Sequence, residues 1–316
     1  MLDEIDHKIL IALVKDGRSS YIKLAKKLGI KPITVATRVN KMLEDDVFTI
    51  RAVPNPEKTG NMVLAFIGLD VKLSYLEEVC SKLIDISNIS YVSTVFGKYD
   101  VILFAEYPNF NALYHLVTQE IPSIKGIKTI ETFIISTSKQ KYAGSFHIEP
   151  SPEKSRVIDE INEKIINELK EDGRTTYSVL ASKLGISPAT VHRRVDSLVK
   201  DKIIRIIAVA NPTKLGHHVL AFLCLHVELD KVNEVFSRLL HYPQIPLVMT
   251  LINGYNIVAA ITLPHLDSLF KFISSEISHI DGVSNTETLI RAEFRKRTYL
   301  GFDVEEMLRY SSVDDS

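Results

Sequence analysis

The chain repeats itself after 156 residues, and this repeat constrains its fold more than any other feature. The segment DGRSSYIKLAKKLGI, which begins at Asp16, matches DGRTTYSVLASKLGI, which begins at Asp172. Under the same shift VLAF at Val63 matches VLAF at Val219, and about half of positions 6–71 are identical without a gap. Long matches at one fixed offset indicate a duplicated structural unit. We therefore expect two copies of one unit within the 316 residues.

Each copy begins with a pattern that is typical of a helix-turn-helix. In the first copy Ile9 and Leu13 lie at helical spacing, and Gly17 follows them as the expected end of the helix. A second short helix is expected to end at Gly29, and a third to begin at Pro32. The run FTIRAVPNP then alternates as a strand does before it reaches a turn. Three short helices followed by a strand predict a winged helix-turn-helix.

The remainder of each copy predicts a small α/β domain. In the first copy MVLAFIGLDV, ISYVSTVF, YDVILFAEY and IKTIETFIIS read as strands, with helices expected over residues 75–86 and 110–120. The order strand-helix-strand-strand-helix-strand is that of ferredoxin-like domains, so the expected fold class is α+β. The expected regions are winged helix-turn-helix domains at 1–53 and 157–209, ferredoxin-like domains at 62–136 and 218–292, a linker at 137–156 and a C-terminal tail at 293–316.

The charge distribution limits how such a chain could bind nucleic acid. The net charge is -1, so any attraction to DNA must come from a local patch. Residues 3–53 carry ten Lys or Arg against seven Asp or Glu, and residues 157–209 carry nine against eight. Because neutralisation of phosphates supplies most non-specific affinity, we expect weak or target-restricted binding.

The same composition argues against a membrane or secreted protein. No stretch approaches the roughly 18 uninterrupted apolar residues of a membrane span, and the start MLDEIDHKIL lacks the order of a signal peptide. We expect a cytoplasmic protein with no membrane partner. Cys80 and Cys224 lie inside apolar segments, where reduced cysteines pack as small hydrophobic residues.

The third helix of each copy is the expected DNA-reading element, because a recognition helix needs polar side chains that reach the major groove. Arg193 and Arg194 offer two adjacent guanidiniums, whereas the first copy offers only Arg38, so we expect the second copy to be the stronger reader. Ser187 is a good N-cap, and Lys31 replaces it in the first copy. The candidate DNA-binding residues are Lys31, Thr34, Thr37, Arg38, Lys41, Ser187, Thr190, His192, Arg193, Arg194 and Ser197.

Both halves resemble the Lrp/AsnC, or feast-famine, transcription regulators. The likeness lies in DEIDHKIL, in DGR followed by Tyr21 and LAKKLGI, and in RAVPNPEKTG. It implies a winged helix-turn-helix joined to a regulatory domain that pairs sheet to sheet in dimers and often stacks into octamers. It also implies double-stranded DNA as a partner and an amino acid or related metabolite as effector. Because the unit is duplicated, we expect an intramolecular pseudo-dimer, and homo-oligomers built from it.

The resemblance also directs attention to a glycine turn between the second and third regulatory strands, where the family has an aromatic residue and an acid. The first copy matches it, whereas in the second the glycine has shifted and an amide replaces the acid. We therefore expect an amino-acid site to be kept in the first copy, with a simple hairpin turn as the alternative. The candidate effector-binding residues are Gly97, Lys98, Tyr99, Asp100, Gly254, Tyr255 and Asn256.

Enzymatic function is the less favoured interpretation. The sequence shows no nucleophile elbow, Gly-rich phosphate loop, HExxH or CxxC, so we expect no catalytic residues, metal or cofactor. Glu131 and Glu287 are interpreted as exposed strand residues. One enzyme class stays open, since the two-domain unit also resembles siroheme decarboxylases, although no residues here match a porphyrin pocket. A third possibility is a metabolite-sensing or assembly protein that has lost DNA binding.

Overall fold

The structure is a computed structural model that describes residues 2–59, 63–140 and 158–297. The helix expected over residues 110–120 is α-helical over Phe110–His115 and continues as a π-helical turn over Leu116–Glu120. The helices and strands of the first copy are α1 (Glu4–Lys15), α2 (Tyr21–Leu28), α3 (Pro32–Glu44), β1 (Phe48–Pro54), α4 (Pro56–Thr59), β2 (Val63–Val71), α5 (Leu76–Asp85), β3 (Ile89–Phe96), β4 (Val101–Tyr107), α6 (Phe110–His115) and β5 (Ile127–Gln140).

The second copy repeats this order, with a 3-10 turn, Pro212–Leu215, in the place of α4. Its helices and strands are α7 (Glu160–Glu171), α8 (Tyr177–Leu184), α9 (Pro188–Lys200), β6 (Ile204–Ala210), β7 (Val219–Val227), α10 (Val232–Leu239), β8 (Leu247–Leu251), β9 (Ile257–Leu263), α11 (Leu266–Ser275) and β10 (Val283–Arg297).

Local side-chain chemistry sets the ends of the first helices. Asp3 accepts hydrogen bonds from the backbone of Ile5 and Asp6, which satisfies N–H groups at the start of α1 that have no partner within the helix. Gly29 ends α2 with a φ of 69°, a left-handed conformation that glycine adopts without steric cost. The prediction for Gly29 is therefore confirmed.

α1 ends at Lys15, directly before Asp16 and Gly17 as predicted, but Gly17 does not end it as a left-handed cap. Gly17 is absent from the residues with positive φ, and its N–H donates to the carbonyl oxygen of Ile206 at 2.8 Å. A Cβ at this position would lie 2.9 Å from the Cα of Ile207. Gly173 likewise donates to the carbonyl of Ile50, at 2.8 Å. Each of these glycines is needed so that the turn after the first helix can approach a strand of the opposite copy.

The strands that follow the third helices pair with each other across the two copies. β1 and β6 form an antiparallel two-stranded sheet in which Ile50 lies opposite Ala208 and Arg51 opposite Ile207. The strand predicted after the first helix-turn-helix is therefore present, and its partner comes from the second copy. This sheet joins the two helix-turn-helix halves into one body.

Two arginines of the repeated DGR motif reinforce this contact by crossing to the opposite copy. Arg18 donates to the carbonyl oxygens of Gly173 and Thr175 at 2.8 and 2.9 Å, and its guanidinium lies 4.8 Å from the ring centre of Tyr177. Arg174 makes the reciprocal contacts to the first copy, donating to the carbonyl of Gly17 at 2.9 Å. Backbone carbonyls thus receive charged donors, which make stronger hydrogen bonds than neutral ones.

The remaining strands form one closed barrel in the order β10-β3-β4-β2-β5-β8-β9-β7. Each half of the barrel keeps the strand order of a ferredoxin-like domain, so the predicted α+β fold class is confirmed. The halves join where β10 pairs with β3 and where β5 pairs with β8. A closed barrel leaves no unpaired sheet edge.

The expected ends of the two regulatory domains are corrected by these pairings. Residues 137–140, which were expected to begin a linker, belong to β5 and pair with β8. Residues 293–297, which were expected to begin a tail, belong to β10 and pair with β3. Both strands are longer than a single domain requires because each spans its own sheet and the sheet of the other copy. The remainder of the expected linker and tail, 141–156 and 298–316, lies outside the described residues.

Three apolar cores explain why the strands read as continuous hydrophobic runs. One face of each half-barrel packs on its own helices, and the opposite faces meet inside the barrel. Phe66 and Phe222, which are equivalent in the repeat, lie there with ring centres 6.2 Å apart. Cys80 and Cys224 are buried free thiols, as predicted from their apolar context. Strands that are buried on both faces lose the polar alternation of a surface sheet.

The close approach at Gly17 leads to a stability prediction. Gly17→Ala places a Cβ against the backbone of β6, and the resulting overpacking should cost about 1–3 kcal/mol of unfolding free energy. Gly29→Ala is the matched control, because nothing lies within 4 Å and only the left-handed conformation opposes it, at about 1 kcal/mol. Urea unfolding of both variants measures the difference, and equal costs would contradict the proposed role of Gly17.

Candidate nucleic-acid interface and effector turns

The N-termini of the two candidate recognition helices are built differently. Ser187 caps α9 by accepting from the backbone N–H of Thr190 at 3.1 Å, and the two hydroxyls lie 2.8 Å apart. Lys31 stands at the corresponding position of α3 and makes no capping hydrogen bond. The predicted difference in capping is therefore present. The Ser187 and Thr190 hydroxyls are engaged in hydrogen bonds at the start of α9.

Arg38 and Arg194, both expected to contact DNA, have hydrogen-bond partners within their own copies. Arg38 donates to Asp3 at 2.6 Å and to Asp6 at 2.8 Å, at the N-terminus of α1. Arg194 repeats this arrangement, donating to Asp159 at 2.7 Å and to Asn162 at 3.0 Å. Both guanidiniums fix the third helix to the start of the first helix of the same copy, and both side chains remain partly exposed.

Electrostatics agrees with this structural role. The hydrogen bond from Arg194, followed by one from the backbone of Asn162, lowers the pKa of Asp159. The pKa of Asp3 is also lowered, by the backbone of Asp6 first and by Arg38 second. Both carboxylates therefore stay ionised where they cap the first helices, at the end that favours negative charge.

Arg193 is the exposed arginine of α9, and no hydrogen bond or ion pair to a described residue holds its side chain. The residue equivalent to it in α3 is Thr37, whose hydroxyl donates to the carbonyl of Ile33 at 3.0 Å. Lys31 and Lys41 are the exposed cations among the candidates of the first copy. The arginine difference predicted between the two helices thus rests on Arg193 against Thr37, while Lys31 and Lys41 stand where the second copy has serines.

The other polar candidates of α9 have partners inside the domain. The ring of His192 lies edge-on to Tyr177 with centres 5.0 Å apart, and its Nδ1 is 3.3 Å from Asp196. Ser197 donates to Asp201 at 3.0 Å. In the first copy Thr34 is partly buried at the start of α3. Asp196 also adds a negative charge to the exposed face of the helix, which opposes phosphate binding.

The turns expected to bind an effector lie against the opposite half of the barrel. A Cβ on Gly97 would lie 2.8 Å from the carbonyl oxygen of Thr288, and one on Gly254 would lie 2.4 Å from the ring of Phe133. Both glycines have positive φ, at 139° and 70°. Each turn is therefore packed against the last strand of the other copy.

The structure also corrects the role of the acid in this turn. Asp100 accepts a hydrogen bond from the backbone N–H of Val71 at 2.7 Å, and Asn256 accepts the equivalent bond from Val227, also at 2.7 Å. Because an amide oxygen performs this function as well as a carboxylate, the change between the copies is structurally conservative. It gives no support to an amino-group site that is kept only at Asp100.

The aromatic residues of the two turns form partly buried polar contacts instead. Tyr99 donates to Glu131 at 2.8 Å, Lys98 donates to the same carboxylate at 2.9 Å, and Tyr255 donates to Glu287. Burial, followed by these hydrogen bonds to carboxylates, raises the pKa of both tyrosines above its usual value. Burial acts to raise the pKa of Glu131, but the two hydrogen bonds outweigh it and lower that pKa.

The inter-copy role of Arg18 and Arg174 was not predicted from the sequence, although DGR is identical in both copies.

Two further classes of site are not found among the described residues. They include no group of three or more His, Cys, Asp or Glu side chains arranged to hold a metal ion. They also include no helix whose length and apolar character would let it cross a bilayer.

Comparison with known proteins places these features in a family. A family of winged helix-turn-helix DNA-binding domains matches residues 2–49 and 158–205, and the Lrp/AsnC ligand binding domain family matches residues 64–143. An uncharacterised HTH-type transcriptional regulator of Pyrococcus horikoshii is 34% identical over 143 residues, which are 45% of this chain and 90% of that protein. The regulatory protein AsnC of Escherichia coli is 29% identical over 137 residues, 43% of this chain and 90% of its own length. The chain belongs to the Lrp/AsnC family of transcriptional regulators, with the helix-turn-helix present twice.

The whole chain also resembles a solved structure. The siroheme decarboxylase NirDL, in co-complex with an iron-uroporphyrin III analogue, superposes with a TM-score of 0.64 over 98% of both chains at 16% identity. At this identity the likeness describes the fold, including both halves of the barrel, and carries no statement about activity.

The anchoring role of Arg38 and Arg194 predicts a matched pair of effects. Arg38→Ala and Arg194→Ala should each lower the unfolding free energy by about 1–2 kcal/mol, because each removes charged hydrogen bonds from a partly exposed site. Arg193→Ala, one residue away and exposed, should stay within about 0.5 kcal/mol of the parent chain. Chemical denaturation checks this, and an Arg194→Ala variant as stable as Arg193→Ala would refute the anchor.

Proposed function

We propose that the chain is a sequence-specific DNA-binding transcriptional regulator that acts as an intramolecular pseudo-dimer. The observation that carries this proposal is the pairing of the two helix-turn-helix units through β1 and β6. Two-fold related reading helices suit two half-sites on one DNA duplex. Because the two third helices differ in sequence, the expected operator is an imperfect palindrome.

Contacts across the barrel give this pseudo-dimer its support. β3 with β10 and β5 with β8 provide backbone hydrogen bonds between the copies along both seams. The inner sheet faces bury aromatic residues from both copies, so either half alone would expose a large apolar surface. The two halves therefore form one folding unit in which a single chain supplies both members of the pair.

Higher assembly is the second part of the proposal. Phe110 and Tyr114 on α6 are 61% and 65% exposed, and their equivalents Leu266 and Phe270 on α11 are 56% and 75% exposed. Residues four apart lie on one side of a helix, so each outer helix carries an apolar pair that faces solvent. The same pair in both copies supports association of one chain with another through these helices, giving a homo-oligomer.

Response to a small metabolite, with an amino acid or a relative as the expected class, is the third part. The family's regulatory domain matches this chain, and the relatives of known function are regulators. The turn at residues 97–100 gives little support as the binding place, since its tyrosine and acid have partners within the protein.

The siroheme decarboxylase interpretation is the alternative, favoured by the fold shared over the whole chain. One cleft among the described residues, between the second helix-turn-helix and the barrel, bears on this alternative. It is lined by six basic residues but by no His, Cys, Met or Tyr, the residue types that ligate haem iron. Titration with an iron porphyrin tests the alternative, because a shifted Soret band and decarboxylated product would overturn the regulator proposal.

Arg193 provides the test of DNA reading. In a binding titration at fixed salt against DNA selected from a random pool, Arg193→Ala should weaken binding by about 1–3 kcal/mol, since an exposed guanidinium can bind guanine bidentately. Thr37→Ala is the matched control at the equivalent position and should change affinity little. Equal effects of the two substitutions, or no selected DNA at all, would count against the proposal.

The apolar pairs on the outer helices give a test of assembly. Phe270→Glu should lower the mass measured by light scattering after size-exclusion chromatography, because it places a charge in the proposed contact. Lys271→Glu, an exposed neighbour that changes charge outside the apolar pair, is the control. An unchanged mass in the Phe270→Glu variant would exclude α11 from the contact between chains.

A further inference from the structure

A cleft of about 1090 Å³ lies between the second helix-turn-helix and the barrel. One wall comes from α7 and β1 of the DNA-binding body, including Asn167, Glu171 and Arg51. The other wall comes from the barrel side and includes Arg291 and Phe294 of β10. A cleft of this size accommodates a small molecule, and polar groups converge on it from both bodies.

Arg291 stands out among the basic residues of this cleft. It lies where β10 leaves its own neighbour β7 and joins β3, with Arg291 opposite Val95. Burial lowers the pKa of its guanidinium, which means that the surroundings oppose the charge. Within ranges 2–59, 63–140 and 158–297, no hydrogen bond or ion pair compensates that charge. A partly buried arginine without an anion is costly for the folded state.

Two neighbouring cations of the cleft, Arg295 and Lys183, have carboxylate partners, in contrast to Arg291. Arg295 binds both carboxylate oxygens of Glu77, at 2.6 and 2.9 Å, and also pairs with Glu293 at 2.6 Å. Lys183 pairs with Glu168 at 2.5 Å. Among the described residues, carboxylates therefore pair with Arg295 and Lys183, and none pairs with Arg291.

Phe294 positions Arg291 without using its N–H donors. The guanidinium carbon lies 5.5 Å from the centre of the Phe294 ring, within the range of a cation–π interaction. The five N–H groups of an arginine are arranged to bind two oxygens of one carboxylate or phosphate. With the ring beside it, Arg291 keeps this capacity and adds an apolar surface for the rest of a ligand.

The repeat shows that neither residue is required by the fold. Ile135 occupies the position of Arg291 in the first copy, and Ser138 occupies that of Phe294. Both equivalents lie on β5, which makes the corresponding crossing from its own sheet to the opposite one. An arginine and an aromatic residue at these positions are thus a feature of one half only.

We propose that this cleft binds a small organic anion, with Arg291 pairing with its carboxylate or phosphate and Phe294 packing against its apolar part. Polar groups of Asn167 and Asn211 lie along the same cleft and could orient the remainder of the ligand. Because the walls belong to the DNA-binding body and to the barrel, occupancy links the two. Any consequence of this link for DNA affinity rests on the regulator function proposed above.

Calorimetric titration of the full chain with benzoate, phenyl phosphate and inorganic phosphate tests the site. Benzoate or phenyl phosphate should bind once per chain, and inorganic phosphate more weakly because it lacks an apolar part. Comparison of the two aromatic probes distinguishes a carboxylate from a phosphate ligand. Arg291→Met should weaken binding at least about tenfold, as expected for loss of a bidentate charged contact.

Two matched variants separate binding from packing. Arg238→Met removes an exposed guanidinium from α10 and should leave the affinity unchanged. Phe294→Ser introduces the residue of the first copy and should weaken the aromatic probes more than inorganic phosphate. Arg291→Met should also melt at the same temperature as the parent chain or higher, because it removes an uncompensated charge.

The outcomes are decisive in both directions. If none of the three anions binds the parent chain, or if Arg291→Met binds them as tightly, the site is refuted. If Arg291→Met melts at a lower temperature but binds the anions with unchanged affinity, Arg291 has a packing role and the proposed site is also refuted. DNA affinity is measured separately, with and without the bound probe. An unchanged DNA affinity would refute the link between the cleft and DNA binding, but it would leave the anion site itself in place.

Discussion

The reciprocal docking of the two DGR turns is the contact on which the DNA-binding body depends. Each turn brings a glycine against the strand of the opposite copy, and each adjacent arginine then donates to carbonyls across the same boundary. This geometry needs a residue without a side chain next to a long cation, and both must be present in both copies. It explains why DGR is identical in the two halves while the helices around it have diverged.

The repeat made much of the fold predictable from the sequence alone. Hydrophobic spacing gave the helices and strands, and Gly29 gave a helix end, because those features depend on neighbouring residues. Gly17 was misread because its function depends on Ile207, which is distant in the chain. The ends of β5 and β10 were placed too early for the same reason, since their last residues pair with strands of the other copy.

The candidate sites were less predictable, because charge alone does not distinguish an anchor from a reader. Arg193 and Arg194 are adjacent in the sequence, yet one is exposed and the other is held by Asp159. Similarly, Asp100 and Asn256 differ in charge but accept the same kind of backbone hydrogen bond. In both cases the deciding information is the position of a partner on another element. Arg291 differs from both cases, because it was identified as a candidate by the lack of an anionic partner among the described residues.

The closure of the barrel has a consequence for how the chain is made. The edge of β3 has its final partner in β10, which belongs to the second copy, so a nascent chain carries that edge unpaired until β10 has been synthesised. Open edges of this kind recruit other strands and favour aggregation. The outer edges of β3 and β5 find their partners only in the second copy. Fusing the copies places these partners on the same molecule, where their local concentration is independent of expression level.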